Sequence, residues 1–382
     1  MRIRYIAPAL ASDGYGEFSR YIISALHERG HDVSVVLLPD SRIEPGSWLG
    51  EKGVLCERLV GRSLDGPPDV NIVNGLSRSF AALRLPRAGR SPENAATLNI
   101  GFTMCEAEQI SSITVYECNA MDAVFVPSRW NKRVFEEHGV KVPVFVVNPA
   151  ISLAPTALER VAPLVFYSVF EWITPHKDPK ALLTAYFQEF QAGEPVLLRI
   201  KTFERCGNDI ASEIRSLKHF LRQARYPKVE LVLGPLSNTE MWASYQAADV
   251  YVSSHHGEGW GMPIWEAMAT GLPAIATAYS ASAEFMNHEN SYPVAFTFDT
   301  KRRWANVSVP ALQTAMRHAL DHQDEARATG ARARRSILER FTQEATEKAI
   351  VQAVQALRAG AEQSETARDH RAVSGGAPAS VT

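Results

Sequence analysis

Residues 253–277, SSHHGEGWGMPIWEAMATGLPAIAT, constrain what this chain can fold into more than any other stretch. An apolar run at 250–253 leads into a Gly-Trp-Gly turn. Pro263 suits the first turn of a helix, where a missing N–H is not felt. Ile264, Ala267 and Met268 fall on one helical face, and Gly271 is a natural stop before a second apolar strand. Gly259 and Gly261 present backbone with no Cβ in the way. Two carboxylates flank this helix start, Glu258 in the loop and Glu266 in the first turn by this reading. Free N–H groups at the positive end of a helix seat anions well. The combination suits a ligand that carries both phosphate and hydroxyls. Taken singly, Glu258 reads as a solvated loop carboxylate and Glu266 as a charge favoured near a helix start.

The beginning of the chain repeats the logic. An apolar strand at 3–7 is followed by the turn Ser12-Asp13-Gly14-Tyr15-Gly16. Phe18, Ile22, Ala25 and Leu26 then recur at helical spacing up to Gly30, and 33–38 is a continuous apolar run. Strand, helix and strand in this order predict a parallel sheet. Further strands are expected at 70–73, 97–102, 123–126 and 144–147. A second series follows, with strands at 164–169, 196–200, 229–233 and 250–253 and helices at 180–190 and 241–248. We expect one α/β domain over 1–150, a linker over 151–163, a second α/β domain over 164–342, a last helix over 343–358 and a disordered tail over 359–382. Ligands in open α/β sheets sit at the carboxyl ends of strands, so the site is expected in a cleft between the domains.

Composition narrows the class. A chain of 382 residues with 46% hydrophobic and 21% charged residues is expected to be a soluble globular protein of two domains. A net charge of −2 gives no global attraction to nucleic acid or an anionic membrane. The four cysteines, Cys56, Cys105, Cys118 and Cys206, show no C-x-x-C spacing and fit reduced thiols of a cytoplasmic protein. Adjacent residues of a strand point oppositely, so His255 and His256 are not expected to chelate one metal ion.

The run Glu258-Gly259-Trp260-Gly261-Met262-Pro263, followed by Glu266-Ala267-Met268-Ala269, Gly271 and Pro273, resembles the E-x7-E segment of retaining GT-B glycosyltransferases of the family 4 type. The resemblance covers most of the chain and is weaker in the first βαβ unit and around 126–149. It implies two Rossmann-like domains with a cleft between them, the acceptor mostly on the first and the donor mostly on the second, and a last helix that crosses back. It implies transfer of a sugar from a nucleotide-diphosphate sugar to an acceptor hydroxyl, with no metal and no cofactor beyond the donor. The acceptor class stays open among a glycan, a lipid-linked glycan, a metabolite and a modified nucleic acid, with peripheral membrane contact also open. A nonenzymatic GT-B-like binding or partner subunit is the alternative.

The resemblance also assigns residues. Glu258 is expected at the donor sugar, and Glu266 at the ribose hydroxyls. Gly259, Trp260, Gly261 and Met262 would offer backbone N–H groups. Gly14 and Gly16 correspond to the glycine loop that approaches the diphosphate. Lys177, in Thr174-Pro175-His176-Lys177-Asp178, matches the lysine of a G-R-x5-K element. The arginine of that element is replaced by Glu171. Negative charge grows on the leaving diphosphate, so catalysis needs cations there. Lys201, at a strand end, is the best substitute, ahead of Arg199 and Arg205. Arg20 faces either cleft or solvent. Many relatives carry a histidine after the fourth strand; here Thr103 and Glu106 are the polar residues available, as acceptor contacts. Asn131, Lys132 and Arg133 open a helix whose basic face reads as solvated.

Overall fold

The computed structural model describes residues 1–39, 42–83, 97–151, 154–158, 163–203 and 209–374. Six strands, β1 (Arg2–Ala7), β2 (Asp32–Leu37), β3 (Val70–Asn74), β4 (Leu98–Phe102), β5 (Ala123–Val126) and β6 (Val144–Val146), form one sheet in the order β2-β1-β3-β4-β5-β6. Six more, β7 (Leu164–Val169), β8 (Val196–Thr202), β9 (Lys228–Leu233), β10 (Val250–Ser253), β11 (Ala274–Thr277) and β12 (Tyr292–Val294), form a second sheet in the order β12-β11-β10-β7-β8-β9. All recorded pairings in both sheets are parallel. A hairpin of β13 (Phe296–Asp299) and β14 (Trp304–Val307) follows.

Parallel strands need crossovers, and helices supply them. In the first domain these are α1 (Gly14–Glu28), α2 (Gly50–Leu59), α3 (Ser112–Asn119) and α4 (Arg129–Glu137). In the second they are α5 (Pro179–Glu189), α6 (Ile210–Leu221), α7 (Asn238–Gln246) and α8 (Met262–Thr270), while α9 (Val309–Asp321) and α10 (Gln323–Arg340) follow the last strand. The α8 boundaries follow the backbone rules in its sequence. Gly261 and Gly271 take φ of 89° and 98° at its two ends, Pro263 lies in the first turn, and the Gly271 N–H returns to Ala267 and Met268 carbonyls. Glu266 falls in the second turn, one turn later than expected.

The last helix, α11 (Gln343–Ser374), crosses back onto the first domain. Its Ile350, Ala353 and Val354 are buried, Glu347 meets His31 at 3.0 Å, and the Thr346 hydroxyl donates to the Asn148 carbonyl at 2.9 Å. The helix runs on to Ser374 where a tail was expected from residue 359. Alanine, glutamate, glutamine and arginine dominate that stretch, and all are strong helix formers despite being polar or small. Residues 375–382 lie outside the described residues. Among the described residues no helix is long and apolar enough to cross a membrane.

The two domains share one apolar cluster, which joins Tyr5, Phe18 and Tyr21 of the first to Tyr245, Trp260 and Trp265 of the second. Asn131 on α4 is a polar rivet in this junction. Fully buried, it accepts the Cys105 N–H at 2.8 Å and donates to the Ser128 hydroxyl at 2.9 Å and to the Gly259 carbonyl at 2.8 Å. Replacing it with alanine strands a buried N–H and a buried carbonyl, each costing about 1–3 kcal/mol. Asn131→Ala is therefore expected to lower unfolding free energy in urea by more than 1 kcal/mol; an unchanged midpoint refutes this account of the junction.

Candidate functional site

In the second sheet the order of strands reverses between β7 and β10, and ligands of open α/β sheets gather beyond the strand ends at such a point. The loops after these two strands carry Lys177 and Glu258. Lys177 ends a short 3-10 turn, Pro175–Lys177, and Asp178 then takes a left-handed φ of 44° and caps α5 by accepting the Ala181 N–H. Glu258 lies in the turn after β10, where its N–H donates to the Ser280 hydroxyl at 2.8 Å. Ser280 itself holds a left-handed φ of 69°, costly for a residue with a Cβ and a mark of local strain. The Lys177 ammonium donates to both carboxylate oxygens of Glu258, at 2.6 and 2.8 Å. Burial pushes the Glu258 carboxyl up, but Lys177, His255 and His176 together hold it below the usual carboxylate range. An ammonium has three N–H donors, so one remains for a ligand.

The first domain closes this site from the other side. Residues 103–106, after β4, meet residues 176 and 257–259. His176 Nδ1 lies 3.1 Å from a Glu106 carboxylate oxygen. Burial and the neighbouring Lys177 push His176 down to about 4, so its ring is neutral near pH 7, donates from Nδ1 to Glu106 and leaves Nε2 as an acceptor. That Nε2 is buried and without a partner among the described residues. The crowded cleft pushes Glu106 up to about 7; half of its side chain still meets solvent, which limits the rise. Gly257 is required here, since a Cβ would lie 1.8 Å from the Glu106 carbonyl oxygen. Thr103 is buried and hydrogen-bonded to the Tyr15 hydroxyl.

Glu266 is buried between the domains. It accepts from the Tyr21 hydroxyl of α1 at 3.3 Å and from the Tyr245 hydroxyl of α7 at 3.1 Å. Burial and the nearby Glu17 carboxylate push it up to about 8. Lys201 is 2% exposed at the end of β8. Its ammonium lies 3.7 Å from the centre of the Phe203 ring and 3.5 Å from the Thr202 carbonyl, with no ion pair recorded among the described residues. Burial pushes it down to about 8. No side chain caps the N-terminus of α8.

Parts of this chain are similar to known proteins. Residues 173–336 match the family model described as Glycosyl transferases group 1. That segment holds Lys177, Lys201, Glu258 and Glu266. Over 225 residues, 55% of this chain, the sequence is 24% identical to a putative glycosyltransferase 45 of Sulfolobus islandicus filamentous virus (isolate Iceland/Hveragerdi), and the match spans 57% of that protein. Among solved structures, Anabaena HepE in complex with UDP and glucose superposes with a TM-score of 0.69 at 13% identity, over 93% of this chain and all of HepE. S. aureus TarM, solved with fondaparinux, α-GlcNAc-glycerol and UDP, superposes with a TM-score of 0.58 at 14% identity, over 75% of this chain and 55% of TarM. The fold is GT-B: two Rossmann-like halves with parallel sheets.

Among the residues marked from sequence, the structure brings Lys177, Glu258 and Glu106 together. Lys201 and Glu266 have no recorded hydrogen bond or ion pair to that group. The Trp260 indole is spent on the core, against Trp265, Phe285 and Phe341, and Met262 is buried in the same cluster, so only their backbone remains for a ligand. Gly16 serves its own loop, because a Cβ there would lie 2.2 Å from the Ala11 carbonyl oxygen, whereas Gly14 has open space. Arg20 faces neither cleft nor solvent; it is buried and donates to the Ala9 and Ala11 carbonyls at 2.9 and 2.7 Å. Glu171 accepts from the Thr174 hydroxyl at 2.9 Å, within its own turn. Arg199 is paired with Glu230 at 3.2 Å, and Arg205 lies outside the described residues. The two histidines diverge: His255 Nδ1 meets the Ser253 hydroxyl at 3.0 Å, while His256 Nδ1 donates to the Ala305 carbonyl at 2.6 Å and its ring stacks on Trp304. Tyr21, Tyr245, His176 and Ser280 were missed. His176 stands at an unspecified position of the element that ends in Lys177, and the other three lie outside the motifs, so only the strain at Ser280 and the polar tips of the tyrosines mark those once folded.

Removing one partner of a buried ion pair strands the other charge, at about 3–5 kcal/mol, with the lower figure apt for a partly exposed lysine. Lys177→Met is thus expected to cost about 3 kcal/mol at pH 7. A carboxyl whose folded value is depressed contributes stability above its unfolded value near 4.3, and that contribution is lost as pH falls through the folded value. The penalty of Lys177→Met should therefore shrink in urea melts at pH 4, where Glu258 protonates in the variant. Adding Glu258→Gln should recover much of it at pH 7. A penalty equal at both pH values excludes the buried pair as its source.

Proposed function

We propose that this protein is a retaining glycosyltransferase that moves a sugar from a nucleotide-diphosphate sugar to an acceptor hydroxyl, without a metal. The observation that carries the reading is the Lys177–Glu258 pair at the strand-order switch point of a GT-B fold. The group 1 family match over 173–336 and the UDP complex of HepE support it.

As the bond from anomeric carbon to phosphate oxygen breaks, negative charge grows on the diphosphate and positive charge on the sugar ring. Cations and N–H groups placed in advance lower that barrier most. Lys177 offers its third N–H, Lys201 a buried charge without a recorded counter-ion, and the uncapped α8 start its backbone donors. Glu258 then orients the sugar hydroxyls rather than attacking, since its two oxygens are held by Lys177. The acceptor hydroxyl bonds to the anomeric carbon on the face the phosphate leaves, and the leaving phosphate oxygen takes the acceptor's proton. His176 Nε2 accepts a hydrogen bond from a sugar or acceptor hydroxyl. Glu266 takes the ribose hydroxyls once the Tyr21 hydroxyl yields its place.

A second reading, a GT-B-like subunit that binds a nucleotide sugar without turning it over, is favoured by Glu171 at the arginine position and by the closed seat of Glu266. Slow hydrolysis of the donor without an acceptor distinguishes the two. A thermal-shift panel of nucleoside diphosphates and their sugars names the donor. With that donor, Glu258→Ala and Lys177→Ala are expected to lower turnover about 10²–10³-fold in folded protein, the usual loss for one transition-state contact. Near wild-type turnover in both, or a product of inverted anomeric configuration, refutes the proposal.

Lys201 separates binding from stability. A buried ammonium without an anion lowers stability, and methionine fills nearly the same volume without the charge. Lys201→Met is expected to raise the apo protein's melting temperature and to weaken nucleoside diphosphate binding at least tenfold by calorimetry. Unchanged affinity removes Lys201 from the site.

A further inference from the structure

The two sheets face each other strand end to strand end, and this order divides the cleft. After β2 of the first domain, the Trp48 carbonyl accepts the Asn238 N–H of α7, which follows β9, at 2.9 Å. After β4, Glu106 meets His176 and Gly257, beyond β7 and β10. After β5, α4 meets the 3-10 turn Ser280–Glu284, which follows β11; the Arg129 N–H donates to the Glu284 carboxylate at 3.1 Å. The lysines that suit a leaving diphosphate lie on the β7 and β8 side of Glu258. The β11 side carries neither of them.

On that β11 side, between α4 and the Ser280–Glu284 turn, lies a cavity of about 360 Å³ lined by Arg129, Trp130, Arg133, Tyr279, Ser280 and Glu284. Its size falls at the lower end of small-molecule sites, about 300–1,000 Å³. The Tyr279 side chain is 9% exposed, and its hydroxyl is buried with no partner among the described residues. The Trp130 indole N–H is in the same condition. The two rings meet edge to face at 5.8 Å. Other buried polar atoms are also unpartnered among the described residues, the Trp260 and Trp265 indole N–H groups among them, but these two share one cavity wall, where a ligand can supply partners. Ser280 is the shared wall: it lines the cavity and accepts the Glu258 N–H at 2.8 Å.

The charges select the ligand class. Arg129 is paired with Glu284 at 3.1 Å, and Arg133 with Glu137 at 3.1 Å and with Glu108. Both guanidinium groups of the lining are thus already paired with carboxylates, Glu108 being shared with Arg303, and a phosphate there would meet Glu284, the carboxylate of the lining. Hydroxyl groups donate to carboxylates and accept from guanidinium, indole and phenol groups alike, and aromatic walls suit the apolar face of a sugar ring. We propose that this cavity is the acceptor subsite and that it holds an uncharged, hydroxyl-rich ligand, a carbohydrate end rather than a phosphorylated one. The assignment of this ligand as acceptor rests on the glycosyltransferase reading; the binding itself does not.

The test is saturation-transfer NMR on the full chain with saturating UDP and a panel of glucose, N-acetylglucosamine, maltose and inorganic phosphate, in wild type, Ala283→Trp and Tyr279→Phe. Ala283 is an exposed wall residue, and tryptophan there plugs the cavity. At least one saccharide is expected to bind wild type, to weaken at least tenfold in Ala283→Trp and to weaken about threefold in Tyr279→Phe, a variant that loses only a hydroxyl and so keeps its fold. No saccharide binding, saccharide binding unmoved by both variants, or phosphate binding lost in Ala283→Trp overturns the proposal. A melting-shift panel of nucleoside diphosphates on the same samples reports on the donor reading separately. A shift with any of them, without saccharide binding, sinks the cavity alone. Saccharide binding through the cavity with no shift from any nucleoside diphosphate sinks the transferase reading alone.

Discussion

The parallel pairing of β7 with β10 is the constraint from which the site follows. Phe166 lies opposite Val250 and Tyr167 opposite Tyr251, so two strands separated by three crossovers emerge side by side. From their ends the chain turns opposite ways, one loop toward α5 and the other toward α8. Only there can a lysine and a glutamate so distant in sequence share a hydrogen-bonded pair without straining either strand. The pair costs desolvation of two charges, and its bidentate geometry offsets much of that cost. What the fold gains is a carboxylate kept ionised while buried, next to a cation with a donor to spare.

The domain junction builds on that pair. Glycine at 257 lets the first domain's 103–106 loop come into backbone contact, and the neutral His176 ring bridges the gap to Glu106. The same closeness explains why Glu266 ends up between two tyrosines, one from each domain. A carboxylate that suits ribose hydroxyls also suits phenol hydroxyls, and Tyr21 and Tyr245 satisfy it when the cleft is shut. Beside the apolar cluster that the domains share, the junction thus includes polar contacts that a hydroxyl-bearing ligand can replace in kind.

One helix missed in sequence, α10, has a plain physical cause. In α10 the buried positions are Ala326, Thr329, Gly330, Ala333 and Ile337, small residues that carry almost no apolar periodicity. They are small because α10 lies against α8: a Cβ on Gly330 would come within 2.0 Å of the Gly271 carbonyl oxygen. At the end of the chain, polar composition suggested a tail from residue 359, whereas α11 extends to Ser374. Trp260 was marked only for its backbone N–H, and its indole fills the core beside Phe341.

The local order of strand, turn and helix was determined by the sequence alone, because it depends on residues close together in the chain: Gly261 and Gly271 for left-handed turns, Pro263 for a helix start, continuous apolar runs for strands buried on both faces. So was the marking of Lys177, Glu258 and Glu266 as candidates. Which of them meet was decided only by the tertiary structure. Strand order placed Lys177 on Glu258, burial left Lys201 without a recorded counter-ion among the described residues, and domain packing sealed Glu266 with tyrosines and set Tyr279 and Trp130, their polar tips unpartnered among the described residues, beside a cavity. Contacts of this kind arise between residues far apart in sequence, where no local spacing records them.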